Sequence, residues 1–406
     1  MAITLSKPQI AAARIVAQLL ADALRTEPLP PELLPAEATA AESSARSAGT
    51  NSPHRGTADD VAAATSHLLA VQGQDFLSAQ WALGLRAGAS AQAVRAAFDH
   101  GLIVRSWPIR STVHLVAAAD IGWVQQATNH RVLRDWPKRR ARLQLDLAVV
   151  DQVREITRQA LSGGRRLHRD ALTQVWQDAG IEMRAGWTYH LVWALNQLGD
   201  VVFGPVNDNG RDLDLVLTDE WIVSPQLLEG DDALAALARR YIVGHGPATA
   251  ADLSWWTALT VGESRRALRL AESDAARERL VECAGPNGEQ LWATEPQLAW
   301  AQDEGQTTGC SAADALSETL ALPAFDEFLL GYRDRSMVLD PKFNMAVMSK
   351  NGVGRPTVLS AGRIRGTWKT KTAEVSLFEG ETLTERESAA LERSMTAYSR
   401  FSTARG

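Results

Sequence analysis

Two carboxamides one residue apart, Gln72 and Gln74 on either side of Gly73, stand immediately before a carboxylate, Asp75. On an extended segment, side chains at i and i+2 leave the backbone on the same side, so both amides could grip one water molecule; on a helix they would diverge by about 200°. Gly73 breaks the helical pattern and so allows the extended geometry. By its letters alone the run reads first as a polar interhelical turn, and Asp75 as the N-cap of the helix that follows, a role Asp favours. A second stretch, HRVLRDWPKRRARLQ, sets Arg131, Arg134, Lys138, Arg139, Arg140 and Arg142 against one acid, Asp135. It suits phosphate groups, or equally forms a solvated helix face.

These groups need a scaffold, and the chain has the material for one. Its 406 residues are 45% hydrophobic and 22% charged, enough for two to four packed domains. The formal charge of −6 rules out coating a polyanion with the whole surface, so any contact with nucleic acid must be local. Cys283 and Cys310 have no Cys or His at metal-ligand or redox spacing, which points to a reduced, cytosolic setting. The amphipathic amino terminus and the lack of a long apolar run read as a soluble, unprocessed chain. Of the 13 tryptophans, Trp81, Trp176, Trp187, Trp193, Trp255 and Trp256 fall at helical apolar positions and are expected in the core.

The periodicity predicts a helix over 8–25, then a Pro, Ala, Ser and Glu-rich stretch from Glu27 to Gly56 whose composition suits a flexible insertion. Helices over 58–71, 75–86 and from Ser90 to Gly101 precede a strand, Ile103–Arg110, and its hairpin partner, Ser111–Val116. The order recurs: helices near 146–162, 168–179 and 187–198, then Val201–Phe203 and Leu213–Leu217 around Asn207-Asp208-Asn209-Gly210. A third round runs from Asp231 to Val243, through 249–259 and a helix capped by Thr260 with Glu263, to Leu280–Cys283 and Gln290–Ala293. Strands at 357–359, 363–369 and 373–378 and a helix over 383–399 follow, and this last part is expected to pack on the third round.

Three helices plus a hairpin make a winged-helix unit, so the fold class read from element order is mainly α with small β-hairpins (α+β), as tandem winged helix-turn-helix units. The boundaries are 1–26 for an N-terminal helix of the first unit and 27–57 for the insertion. Units one to three occupy 58–145 (with the basic linker), 146–225 and 226–320, and a β-rich segment with the closing helix occupies 321–406.

The runs LLAVQGQDFLSAQWALGLR (68–86), LIVRSWPIRSTVHLVAAADIGWV (102–124), HGPATAADLSWW (245–256) and PAFDEFLLGYRDRS (323–336) stand in that order. Together they resemble the winged-helix DNA-binding family that includes the AlkZ-type DNA glycosylases. That resemblance implies a catalytic Gln-x-Gln motif, with a hydrophobic residue in its middle, at Gln72, Gly73 and Gln74; glycine is a departure that keeps both amides and loosens the backbone aiming them. Asp75 could assist the water or the cation. The family's basic hairpin would correspond to Arg105, Arg110 and His114, with Trp107 beside them either in a groove or pinning the hairpin to the body. His114 reads as a packing residue or a proton carrier. The implied activity is hydrolysis of the N-glycosidic bond of N7- or N3-alkylated purines by a monofunctional glycosylase, without metal or cofactor. The implied partner is alkylated double-stranded DNA, and the implied setting is the cytoplasm, nucleoid-associated, as a monomer with no membrane. A non-catalytic winged-helix DNA binder, such as a transcriptional regulator, and a scaffold whose acidic surface excludes DNA are the alternatives.

Overall fold

A computed structural model describes residues 3–21, 56–273, 279–302 and 311–404. The helix expected over 8–25 runs Lys7–Ala17, while residues 22–25, nearly all of the 27–57 insertion and Cys310 lie outside the described residues. Short polar side chains start the first-unit helices. Thr57 caps Ala58–Leu68 through a reciprocal bond with Asp60, Asp75 caps Phe76–Ala87, and Ser90 caps Ala91–Asp99. The helix expected over 58–71 stops at Leu68, because residues 71 and 72 leave it as a short strand, β1 (Val71–Gln72), paired antiparallel to the strand Thr112–Ala117.

Strands β2 (Ile103–Ile109) and β3 (Thr112–Ala117) form the first hairpin, β4 (Val201–Val206) and β5 (Leu213–Leu217) the second. They are not two separate ribbons. Arg105 of β2 pairs with Phe203 of β4, giving one antiparallel five-stranded sheet in the order β1-β3-β2-β4-β5. One face carries Ile103, Leu115, Phe203 and Leu215 into a core shared with Phe98, Leu191 and Leu195. The other carries Val104, Val116, Val202 and Val216 into a second core with Trp123, Leu237 and Tyr241. Burial on both faces explains why these strands read as near-continuous apolar runs.

The basic stretch forms two helices, Ile121–Arg134 and Trp136–Leu143, that connect the first hairpin to the second helical group. The third hairpin, β6 (Leu280–Ala284) with β7 (Gln290–Thr294), forms a separate two-stranded sheet, and the N-terminal residues lie along it through Leu5 N–H to Ala284 O at 2.8 Å. A further strand, β8 (Thr319–Leu322), was not foreseen; it completes a four-stranded sheet with β9 (Thr357–Ser360), β10 (Arg363–Trp368) and β11 (Val375–Leu377).

The carboxyl-terminal part does not pack on the third group alone. It reaches that group through Tyr332 Oη to His245 O at 2.7 Å, but its closing helix, Glu385–Thr403, presses Tyr398 and Phe401 edge-on against Trp81 of the first. Among the described residues no helix is long and apolar enough to cross a membrane.

The tightest tie between first group and carboxyl-terminal segment is ionic. Arg86, fully buried on Phe76–Ala87, holds both oxygens of buried Asp326 at 2.9 and 2.8 Å and the Gln18 Oε1 at 3.1 Å. Asp326 also caps the single helical turn Glu327–Leu330 through Phe328 N–H. Removing one partner strands the other charge away from water. Asp326→Ala is therefore expected to lower unfolding stability by about 3–5 kcal/mol in a urea titration. A loss near the roughly 0–1 kcal/mol of an exposed pair would contradict this picture of the tie.

Candidate active site

The strand β1 sits at the edge of the five-stranded sheet. Gly73 N–H donates to Val113 O at 2.8 Å and Gln72 pairs across from His114, so residues 71–73 are extended. The Gln72 backbone N–H donates instead to Glu327 Oε1, at 3.0 Å. Its side chain is buried, and among the described residues its Oε1 has no hydrogen-bond partner. Gln74 and Asp75 are exposed, and the Asp75 carboxylate accepts from Ser78 N–H at 2.9 Å, the cap that the sequence suggested. A Cβ on Gly73 would lie 3.3 Å from the carbonyl carbon of His114, so the glycine lets β1 lie close on β3.

Beneath β1 lies a buried polar cluster that sequence reasoning did not single out. Glu327 Oε2 accepts from Trp256 Nε1 at 3.0 Å and lies 3.5 Å from His245 Nε2. His245 stacks on Tyr241 with ring centres 4.8 Å apart, and its Nδ1 faces Tyr241 O at 3.2 Å. Burial opposes ionisation of Glu327, but the bond and charge of His245, the nearby His114 and the Trp256 N–H together hold its carboxyl down at about 2. The available signals were an acid inside the apolar run PAFDEFLLGY and the His and Trp of HGPATAADLSWW, both runs chosen for resemblance rather than for their charge.

His114 is fully buried, with Nδ1 on Thr112 O at 2.9 Å and Nε2 without a hydrogen-bond partner among the described residues. Burial first, and then the Arg110 charge, push its imidazole down to about 4, so it is neutral at pH 7. Trp107 is also buried, packed against Tyr189 and Phe203, which pins the hairpin to the body. Trp255 departs from its expected core place: it is 44% exposed. The guanidinium of Arg110 lies 5.4 Å from the Trp255 ring centre. Arg110 sits at the two-residue tip of the β2–β3 hairpin, where it and Ser111 both have positive φ, 52° and 55°. Burial lowers its proton affinity while the Glu327 carboxylate raises it, and among the described residues its Nε has no hydrogen-bond partner.

The other predicted cations are dispersed. Arg105 pairs with Asp212 at 3.2 Å between the two hairpins. Arg131 donates to Ala258 O at 2.9 Å, Arg139 lies over Trp193 and Arg140 turns back to Leu145 O. Arg134, Lys138 and Arg142 are exposed, Lys138 at 3.9 Å from Asp135. Near the carboxyl terminus, Arg363, Arg365 and Lys369 are paired with Glu381, Glu387 and Glu374. Among the described residues no group of three His, Cys, Asp or Glu is placed to hold a metal ion.

A family model described as DNA glycosylase AlkZ-like matches residues 65–401. A curated relative, the interstrand DNA cross-link repair glycosylase of Streptomyces sahachiroi, is 24% identical over 323 residues, 77% of this chain and 82% of the relative. The solved structure of Streptomyces sahachiroi DNA glycosylase AlkZ superposes with a TM-score of 0.72 at 20% identity, covering 99% of this chain and 98% of that one.

The low proton affinity of His114 has a thermodynamic consequence. In the unfolded chain it titrates near 6.5 and in the folded chain near 4, so the unfolded state binds more protons between those values. Its contribution to stability is complete above pH 6.5 and is lost as pH falls towards 4; that of Glu327 is lost lower, as pH falls from 4.5 towards 2. Melting midpoints recorded from pH 7.5 to 4 should fall for the wild type and fall less steeply for His114→Asn; parallel curves would rule out a buried neutral imidazole.

Proposed function

Because the chain belongs to the AlkZ-like DNA glycosylase family, we propose that it hydrolyses the N-glycosidic bond of alkylated purines in DNA, with Gln72 and Gln74 positioning the attacking water. The observation that carries this reading is the Gln72 carboxamide oxygen, buried on an extended strand and without a hydrogen-bond partner among the described residues. Buried acceptors are nearly always bonded in native proteins, so this oxygen is available to a water or a ligand.

The chemistry asks little of such a group. Alkylation at purine N7 makes the base cationic, so the C1′–N bond breaks with its electron pair going to the base, which leaves neutral. The sugar passes through an oxocarbenium-like state, water oxygen bonds to C1′, and one proton of that water passes to solvent. Carboxamide oxygens that orient the water and face the developing positive charge are sufficient. Neither metal nor cofactor is required. Asp75, spent as a helix cap, would serve the cation only at a distance. We place duplex DNA along the exposed Arg134, Lys138 and Arg142, with Arg110 and Trp255 nearer Gln72, and treat the three helix-plus-hairpin groups at 58–145, 146–225 and 226–320 as winged-helix units that seat a monomer on it. Crosslinked DNA enters as a substrate class from the relative's name. The exposure of Gln74 favours a second reading, a DNA binder in which the Gln-Gly-Gln segment is structural.

Purified protein incubated with duplex carrying N7-methylguanine should release free base. Gln72→Ala and Gln74→Ala should each slow release by roughly 10²–10³, with melting temperature unchanged. Lack of release from a panel that includes N3-methyladenine and a crosslinked duplex, together with a salt-sensitive mobility shift, would move the protein to the second reading.

A further inference from the structure

We propose that Glu327 is the positioning residue of this site, its buried carboxylate standing in for a missing neighbouring strand and so aiming the Gln72 carboxamide. The inference rests on the glycosylase reading for its catalytic consequence, but not for its geometry. In an antiparallel pair, successive residues of an edge strand turn their N–H groups alternately towards the partner and away from it. Gly73 N–H faces β3, since it donates to Val113 O, so the Gln72 N–H faces outward, where among the described residues β1 has no further strand. A buried N–H without a partner is costly, and Glu327 Oε1 meets it at 3.0 Å. A charge-assisted bond of this kind is stronger than the bond that a neighbouring strand's carbonyl would accept.

The carboxylate is itself held from the other end. Trp256, on the helix Ala250–Thr257, bonds Oε2 at 3.0 Å, and His245, at the end of Gly230–His245, lies 3.5 Å away. The Asp326 cap fixes the turn that carries Glu327. Glu327 thus transmits a rigid frame to the residue just before Gly73, the most pliant point of the Gln-Gly-Gln segment. Without it, among the described residues a strand of only two residues has β3 as its one strand partner.

Glu327→Gln tests the idea because the amide offers one oxygen and one NH₂. Whichever way it turns, either the Gln72 N–H or the Trp256 N–H meets a donor. Single-turnover base release should drop roughly 10²-fold in kcat, the scale of a small misplacement, with KM for the lesion duplex within about threefold, since no DNA contact is touched. Trp256→Phe added to Glu327→Gln removes the competing donor, lets the amide oxygen face Gln72, and should restore most of the lost kcat. Hydrogen exchange at the Gln72 amide, read by mass spectrometry or NMR, should quicken in Glu327→Gln, remain slow in the double variant, and stay unchanged at Leu237 in both. Equal kcat in wild type and Glu327→Gln, or no recovery in the folded double variant, overturns the proposal. If the wild type releases no base, the glycosylase reading fails by itself; the exchange measurement then decides, with quickened exchange at Gln72 upholding the anchor and unchanged exchange sinking it. Should Glu327→Gln fail to fold, Glu327→Asp, which withdraws the carboxylate by one methylene, takes its place in the exchange comparison with the same two outcomes.

Discussion

A carboxylate taken out of water has to be surrounded by donors, and around Glu327 those donors come from two parts of the chain distant from its own. Gln72 belongs to the first helix-and-hairpin group, His245 and Trp256 to the third, and the acid itself to the carboxyl-terminal segment. Because an ion that loses such partners is strongly penalised in a dry interior, the three parts are bound to one mutual arrangement. The neighbouring Arg86–Asp326 pair acts along the same line, joining Phe76–Ala87 and the N-terminal helix region to the same short turn. The site is thus assembled where the chain's parts meet, and its geometry is a property of their docking.

Much of the architecture was legible because local chemistry announces it. The caps Thr57, Asp75, Ser90 and Thr249, and the turn Asn207 to Gly210, carry their own short-range bonds, so helix starts and hairpin positions follow from letters a few residues apart. What could not be read is whatever depends on pairing between distant segments. The joining of the first two hairpins at Arg105 and Phe203 leaves no periodic trace, and neither does β1, two residues at a helix end whose strand character comes wholly from β3.

The candidate site divides the same way. Gln72 and Gln74 were visible through resemblance, and the capping role of Asp75 through residue type alone. Glu327 was hidden in plain view, since an acid within an apolar run announces a buried partner without saying which. Trp255 and Trp256 are adjacent and alike in letter, yet one is 44% exposed beside Arg110 while the other is fully buried on Glu327. Adjacent helical positions differ by 100° in direction, and only the docked surroundings decide which one meets solvent. The Arg-rich stretch likewise shows how composition overstates a surface: Arg131, Arg139 and Arg140 turn onto backbone carbonyls or a tryptophan face and only part of the stripe points outward.

A sheet clothed in hydrocarbon on both sides forfeits a common safeguard. Where one face is wet, sliding a strand by a single position thrusts greasy side chains into solvent, and the error corrects itself. Here Ile103 and Val104, or Val201 and Val202, would exchange one oily compartment for another without meeting water. Alignment has to be indexed by irregularities instead: the tight reversal at Arg110 and Ser111, with its left-handed backbone, and the shift in pairing between Ser106 and Ile109 where Trp107 and Pro108 interrupt the ladder. These blemishes in the hairpin are the notches that keep every strand of the sheet, β1 and its glutamine included, in its own groove.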